Sequence, residues 1–532
     1  MANRRNNNNY KTKQSKHGKS QSRPKTKRSD RNTGLDSEDM ENSTNDVSWY
    51  STDPNLLRDA ASIPFSWSVG TPIDNVYDES YNIPGVQVMY LAPSIGWSTL
   101  ASDPVNLAST SFYSYIRHAN SGHANYDDLD LTLMLVCSSQ IYAFINWAQR
   151  LYGLSFLYAQ RNRYLPKALI EAEWVDPDNL AANLANFRYG INVLINKMSS
   201  IWVPAVMTIF SRQAFLYQNI YCEGPSIKDQ LYYYSPHGFW KYDFDGDGAG
   251  CAKYTMLRKP GVKLTVDSIL AYGNMLIDAL LDEEDIGIMC GDIYKAYGDG
   301  GIIKLAALPE NYLVAPIYDP AVLSQMKNAT TLSLDPVQPM QDVAVNNFSI
   351  FQDKTKGWLT HTPTIPNTFN EDDEYFHYVR LMRRSRLLTL DSEEVTPDMI
   401  MEASRLMFSI DKQDNVGESG FGAIHAGSEI VMCCGHIQAR TDGSYLTYWC
   451  NTVTPVGSVT PQLISKYYAI WSNFKYHPFA RISLYSEAEQ SDFSPSFDVD
   501  NYAVLDYQEI DKLNEAALLN EFGIHGIAKV VR

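Results

Sequence analysis

The sequence predicts a mainly α protein: a helical first body, a second, mixed α+β body, and a disordered basic N-terminal arm. Three observations carry that prediction. Apolar residues recur at three- and four-residue steps in successive stretches from Leu131 to Leu281. Beyond Leu305 prolines cluster (Pro309, Pro316, Pro320, Pro336, Pro339, Pro363, Pro366) and β-leaning pieces appear. The start of the chain is polar and carries charge of the opposite sign to the rest. The boundaries read as 1–48 for the arm, 49–305 for the helical domain, 306–500 for the mixed domain, and 501–532 for a C-terminal helix returning to the core.

The arm is the sharpest feature. The formal net charge of the chain is −17. Residues 1–31 nonetheless hold eleven basic side chains, Arg4, Arg5, Lys11, Lys13, Lys16, Lys19, Arg23, Lys25, Lys27, Arg28 and Arg31, against one acid, Asp30. The remaining 501 residues keep 33 basic and 60 acidic side chains, a balance of −27. An acidic run, "DSEDMENSTND" at Asp36–Asp46, succeeds the basic one. From Lys11 to Ser48 there is no Phe, Tyr or Trp, so the segment cannot bury enough apolar surface to offset the entropy of ordering. It reads as a flexible polycation, with nucleic-acid or membrane-surface contact confined to it.

The body is globular by composition, with 45% hydrophobic and 12% aromatic residues, and is too long for one hydrophobic core. "MANRRNNNNY" lacks the apolar stretch of a signal peptide and shows no amphipathic period. The longest apolar run, Leu131–Trp147, is broken by Ser138, Ser139, Gln140 and Asn146 and falls short of the ~20 residues that span a bilayer, so no stable membrane insertion is expected. Seven cysteines, odd in number and scattered, argue against a disulfide framework and for a reducing compartment.

Taken in order, the body begins near Trp49 with a proline-punctuated lead-in, then a short strand at Val86–Leu91 fenced by Pro84-Gly85 and Pro93. A helix from Leu131 is apolar on nearly every side and therefore buried all round. Asp176-Pro177-Asp178 starts the next, whose stripe Leu180, Leu184, Phe187, Ile191, Leu194 and Met198 suits packing on another helix. Pro204 breaks the chain before another helical stretch, and Thr265 opens a helix to Leu281. In the second half "EIVMCCGHIQA" and "FARISLY" read as strands. Thr396-Pro397-Asp398 caps "MIMEASRLMF", and "QEIDKLNEAALLNEF" forms the final helix.

Several motifs invite chemistry. Asp243, Asp245 and Asp247 occupy positions 1, 3 and 5 of a calcium-loop pattern with Gly248 at the turn. Tyr254 stands where a bidentate Glu belongs and the preceding segment looks extended, so a solvated turn is the better reading. His425, Cys433, Cys434, His436 and Cys450 lack Cys-x-x-Cys spacing, and the cysteines read as buried residues on a strand. "GESGFGAIHAG" reads as a loop, not a phosphate cradle. His118 and His123 flank a connection in which Asn125 and Asp127 cap the next helix. Arg383, Arg384 and Arg386, downstream of "NEDDEYF", suit an internal or intersubunit ion-pair role. Nothing gathers a nucleophile, a base and an orienting acid, so no catalytic residue, cofactor or metal is predicted.

"TDPNLLRDAASIPFSWSVGTPI", "YNIPGVQVMYLAPSIGW", "IRHANSGHANYDDLDL", "NRYLPKALIEA", "NLANFRYGIN" and "TPDMIMEASRLM" together resemble the capsid protein of picobirnaviruses. The resemblance covers most of Trp49 to Phe244 and returns at Thr396–Met407. It implies a helical shell domain with a projecting domain, here the mixed 306–500 stretch, and subunits that pair as dimers and close into an icosahedral particle around double-stranded RNA. It implies a virion component assembled in the host cytoplasm, with the packaged viral polymerase as a further candidate partner. It also implies a basic arm facing the genome, trimmed by proteolysis in some members. Phosphate contact without sequence reading suits the arm, because duplex RNA closes its major groove to side chains and the arm lacks aromatics for stacking. The alternative readings are a non-viral nucleic-acid-binding protein with a basic tail, and a hydrolase whose site is dispersed beyond sequence recognition.

Overall fold

The computed structural model describes residues 46–50, 52–63, 85–121, 125–157, 165–224, 230–258, 261–332, 345–366, 386–413, 420–440, 444–456, 470–485, 490–493 and 501–524. They fall into two compact units that divide after Ile63. The described part of the first holds a 3-10 turn, Val47–Trp49, and helix α1, Pro54–Ala61. Asp53 starts α1 by accepting from the Asn55 amide at 2.9 Å, with Pro54 in the first turn, and none of its residues is buried.

The second unit opens with β1 (Val86–Pro93), buried along its whole length, and continues into α2 (Pro104–Ala119). Then comes α3 (Asp128–Leu154), a helix enclosed on all sides as its apolar composition requires. α4 (Leu165–Ala172) leads to α5 (Pro177–Ala182) and α6 (Leu184–Lys197). The sequence reads these last two as one helix; the chain instead steps out of helical geometry at Asn183, where φ is −115°. The stripe survives the break, with Leu180, Phe187, Ile191, Leu194 and Met198 all buried. α7 (Thr208–Leu216) comes after Pro204. Next lie β2 (Tyr221–Cys222), β3 (Leu231–Pro236) and the hairpin of β4 (Gly238–Phe244) and β5 (Gly250–Met256).

α8 (Val266–Leu281) begins with a reciprocal cap between Thr265 and Ser268 and packs on α3, where Gly273 leaves room for the Phe144 ring: a methyl there would lie 2.6 Å from it. α9 (Glu284–Tyr297) and α10 (Pro320–Lys327) complete the central helices. Short strands β6 (Phe351–Asp353), β7 (Trp358–Thr360), β8 (Thr364–Pro366) and β9 (Arg386–Leu390) precede α11 (Pro397–Ala403), which Thr396 caps as its residues announce. β10 (Ser409–Gln413) and β11 (Gly420–Ile424) pair antiparallel. The expected loop at "GESGFGAIHAG" is thus a strand from Gly420 on, because the Phe421 side chain is buried in the core. β12 (Glu429–Ala439), β13 (Tyr445–Cys450), β14 (Val453–Val456), β15 (Arg481–Tyr485), β16 (Gln490–Phe493) and β17 (Asn501–Leu505) lead to α12 (Tyr507–Glu521), whose start is a capping box between Asp506 and Glu509.

The principal sheet has the order β13–β12–β1–β3–β2, with β1 antiparallel to β12 and parallel to β3. Its strands come from both sides of residue 305. The fold is therefore mixed α+β rather than mainly α with sheet kept to a second body. The difference arises because β1 finds its partners about 145 and 350 positions away in the chain, a pairing that local periodicity does not report. One apolar core runs from β1 through α3, α8 and β12 to Leu518 and Phe522 at the chain's C-terminal end, with a satellite core of Leu388, Leu390, Ala403, Met407, Leu505 and Ile510.

Candidate functional site

The predicted RNA-binding residues, Arg4 through Arg31, lie outside the described residues, as do His123, Arg383 and Arg384. The first described residue is Asp46, beyond the basic run. Trp49, Tyr50, Leu56, Leu57 and Ile63 of that first unit are all exposed.

The motifs singled out in the body take structural places. Asp245 closes the β4–β5 turn, accepting from the Asp247 amide at 2.9 Å and the Ala249 amide at 2.7 Å, and the Ala249 bond foremost holds its carboxyl below the usual range. Asp243 pairs with Lys241 at 2.9 Å. A hairpin turn is built from these acids. Cys433 and Cys434 are buried on β12, with Cys450 opposite Cys434 in register on β13. Burial pushes all three thiols up, away from the thiolate form that binds metal or attacks carbon. His118 is exposed in the last turn of α2. Asp127 takes the N-cap position of α3 but makes no capping bond; the Asp128 carbonyl instead accepts from Ser109 and Thr132 at 3.0 and 2.7 Å. Arg386 is buried on β9, inside the fold.

The concentrated polar chemistry lies where no sequence motif pointed. Arg150 of α3, Glu173 after α4, Ser235 of β3 and Arg258 after β5 meet in the core, with the three charged side chains between 0% and 2% exposed. Glu173 Oε1 accepts from Arg150 Nη2; Oε2 accepts from Arg258 Nη2 at 2.8 Å, from Trp147 Nε1 at 3.0 Å and from Ser235 Oγ. The arginines also reach carbonyls. Arg150 donates to Tyr234 at 2.7 Å and Asn219 at 3.3 Å, and Arg258 donates to Pro236 and, at 3.2 Å, to Glu173. Each guanidinium lies over a tyrosine ring, Arg150 on Tyr233 and Arg258 on Tyr90, both 4.9 Å from the centroid. No substrate can approach charges sealed in this way. The network fastens three chain segments to a carboxylate carried by a fourth. A signal for it exists in the sequence: Arg150 is the one charge in α3 after Asp130.

A second cluster joins the C-terminal helix to the body. Arg212 of α7 holds Glu429 at the start of β12 at 2.9 Å, with Glu521 at the end of α12 3.9 Å away. Arg405, after α11, donates to the Met401 and Leu513 carbonyls at 2.6 and 3.1 Å. Burial, then the Glu429 charge, raise the Glu521 carboxyl, and burial brings Arg405 down to about 10. One oxygen of each acid, Glu429 Oε1 and Glu521 Oε2, has no protein partner among the described residues. Among the described residues, three histidines are buried in the core. His237 bonds Tyr254 at 2.6 Å, His436 bonds Gln87 at 3.0 Å and His361 faces the Ser349 carbonyl at 3.3 Å. Burial lowers them to about 3, 3 and 4 respectively, with Arg258 adding to the effect at His237.

Comparison with known proteins points one way. The family described as "Picobirnavirus, Capsid protein" matches residues 49–441. The capsid protein precursor of Human picobirnavirus (strain Human/Thailand/Hy005102/-) is 31% identical over 403 residues, 72% of this chain and 73% of that protein. The X-ray crystallographic structure of the picobirnavirus capsid has the same fold, with a TM-score of 0.74 at 21% identity, covering 91% of this chain and 100% of that one. These relatives are capsid structural proteins, not enzymes.

Proposed function

The chain belongs to the picobirnavirus capsid protein family, and from that premise we propose that it works by closed self-association around a genome. It is a viral capsid protein and a component of the virion. In the proposed reading subunits pair as dimers, the dimers close into an icosahedral shell in the host cytoplasm, and the shell encloses double-stranded RNA together with the viral polymerase. The observation that carries this reading is the likeness to a capsid protein over 403 residues at 31% identity.

The basic arm binds the RNA through phosphate alone. Eleven basic side chains against one acid in residues 1–31 supply the charge, and the −27 balance of the rest keeps RNA contact in the arm. At about six to ten phosphate contacts, free-arm affinity falls ~10³–10⁵-fold between 50 and 200 mM salt. The projecting portion comes from the peripheral pieces of 306–500, such as β14–β15–β16, since β12 and β13 of that stretch belong to the principal sheet.

Electron microscopy of the purified protein tests the first part: uniform closed particles are expected, and monomers under all conditions would refute it. Deleting residues 1–48 tests the second. Shells should still form but retain less RNA; unchanged RNA content would remove the arm from its role.

A further inference from the structure

α9 presents an outward seam that none of the described residues of its own chain explains. Its inner face is Ile286, Met289, Cys290 and Ile293, all buried. Its outer face carries Glu284, Ile288, Gly291 and Lys295, all exposed and spaced four, three and four residues apart, the spacing of one straight line along a helix. Ile288 is an apolar side chain in water at 40% exposure, and Leu281 at 44% stands beside the start of the helix. Gly291 is stranger. Glycine is the poorest helix former after proline, and here a methyl group would meet no atom within 4 Å, as at Gly287 one turn earlier. Packing among the described residues therefore does not require either glycine.

The order Glu, Ile, Gly, Lys is complementary to itself when reversed. Two copies of α9 laid antiparallel across a two-fold axis between Met289 and Cys290 bring Glu284 against the partner copy's lysine, and the reverse. The same operation drops each Ile288 side chain into the space over the facing Gly291. A parallel arrangement would set acid on acid and base on base, so the charges also choose the direction.

We propose that the outer face of α9 is a two-fold contact between copies of this chain, with Glu284–Lys295 pairs at its ends and Ile288 seated on Gly291 at its centre. Such a contact is isologous: one surface patch serves both partners. A helix of this length, about 21 Å, is too small to make a stable interface alone. It sets the register of a larger subunit contact. The proposal rests on the self-association reading above and names a surface that performs it.

Charge reversal tests it on the full-length protein, with sedimentation and electron microscopy as readouts and thermal melting of dissociated subunits as the folding control. Glu284→Lys and Lys295→Glu each place two repulsive pairs across the axis, and each should raise the concentration needed for half assembly at least about tenfold. The double variant restores opposite pairs and should return to within about threefold of the wild type, because the geometry is symmetric. Gly291→Leu should block assembly while leaving subunit melting unchanged or higher. Single reversals that assemble at the wild-type concentration, or a double variant as defective as either single, overturn the seam. A wild-type protein that never assembles would overturn the self-association reading itself, and the seam with it.

Discussion

Glu173 and Glu429 both sit in the core beside an arginine, yet their surroundings differ in the number of acids and in how fully each carboxylate is bonded. At Glu173 two arginines share one carboxylate and both carboxylate oxygens are bonded, with Arg150 Nε the one atom of the cluster lacking a partner among the described residues. At Glu429 the arginines Arg212 and Arg405 face two carboxylates, and each acid has an oxygen without a protein partner among the described residues. The first cluster ties α3, the end of α4, β3 and the segment after β5. The second ties the end of the last helix to α7 and β12. The contrast teaches that a buried carboxylate with both oxygens bonded serves as a tie between segments, whereas a second acid in the same dry site raises the carboxyl beside it.

Removing the shared acid is the strongest way to break that comparison. Glu173→Ala leaves Arg150 and Arg258 buried without a counter-charge, which costs ~3–5 kcal/mol. Urea unfolding of dissociated subunits should show the loss, or soluble protein should vanish; a loss under about 1 kcal/mol would erase the distinction.

Acid gives the next effect. His237, pressed down to about 3 by burial and by Arg258, is neutral in the folded state at neutral pH, as are His436 at about 3 and His361 at about 4. A folded-state value below the unfolded 6.5 means that the stabilising contribution is whole above pH 6.5. It is lost as pH falls toward 3 to 4, at about 1.4 kcal/mol per pH unit for each histidine. Denaturation midpoints measured from pH 7 to 4.5 should decline, and His237→Gln should make the decline shallower by one histidine's share. An unchanged slope in that variant would remove His237 from the account.

Glu521→Gln sharpens the comparison most gently. Its raised carboxyl contributes stability that is whole below the unfolded value and lost as pH rises through the folded one, so the ionised form is the one the fold disfavours. The substitution should shift subunit stability by no more than about 1 kcal/mol, in the favourable direction, on the same urea assay. A loss as large as that of Glu173→Ala would make the two clusters alike.

Local signals made the helices readable. Asp176, Thr265, Thr396 and the long apolar run at Leu131–Trp147 each announce a start or a buried axis, and the structure puts helices there. The strands at Val86 and Glu429 were readable for the same reason, but their pairing was not, since pairing partners leave no trace at the pairing strand. The Glu173 cluster escaped because Arg150, Glu173 and Arg258 lie 23 and 85 positions apart and no spacing rule joins them. The α9 seam is present in the sequence as four letters at helical spacing. Only burial tells that its far side faces inward and this side does not.

The central place of β1 also bears on how the protein is made. Its two edges are filled by strands that begin at Leu231 and Glu429, so a nascent chain carries an open hydrogen-bonding edge until most of its length has left the ribosome. Fragments released by premature termination lack the strand that closes it and expose a sticky border. Quality control is thereby written into strand order: only a polypeptide extended through β12 can close both borders of β1.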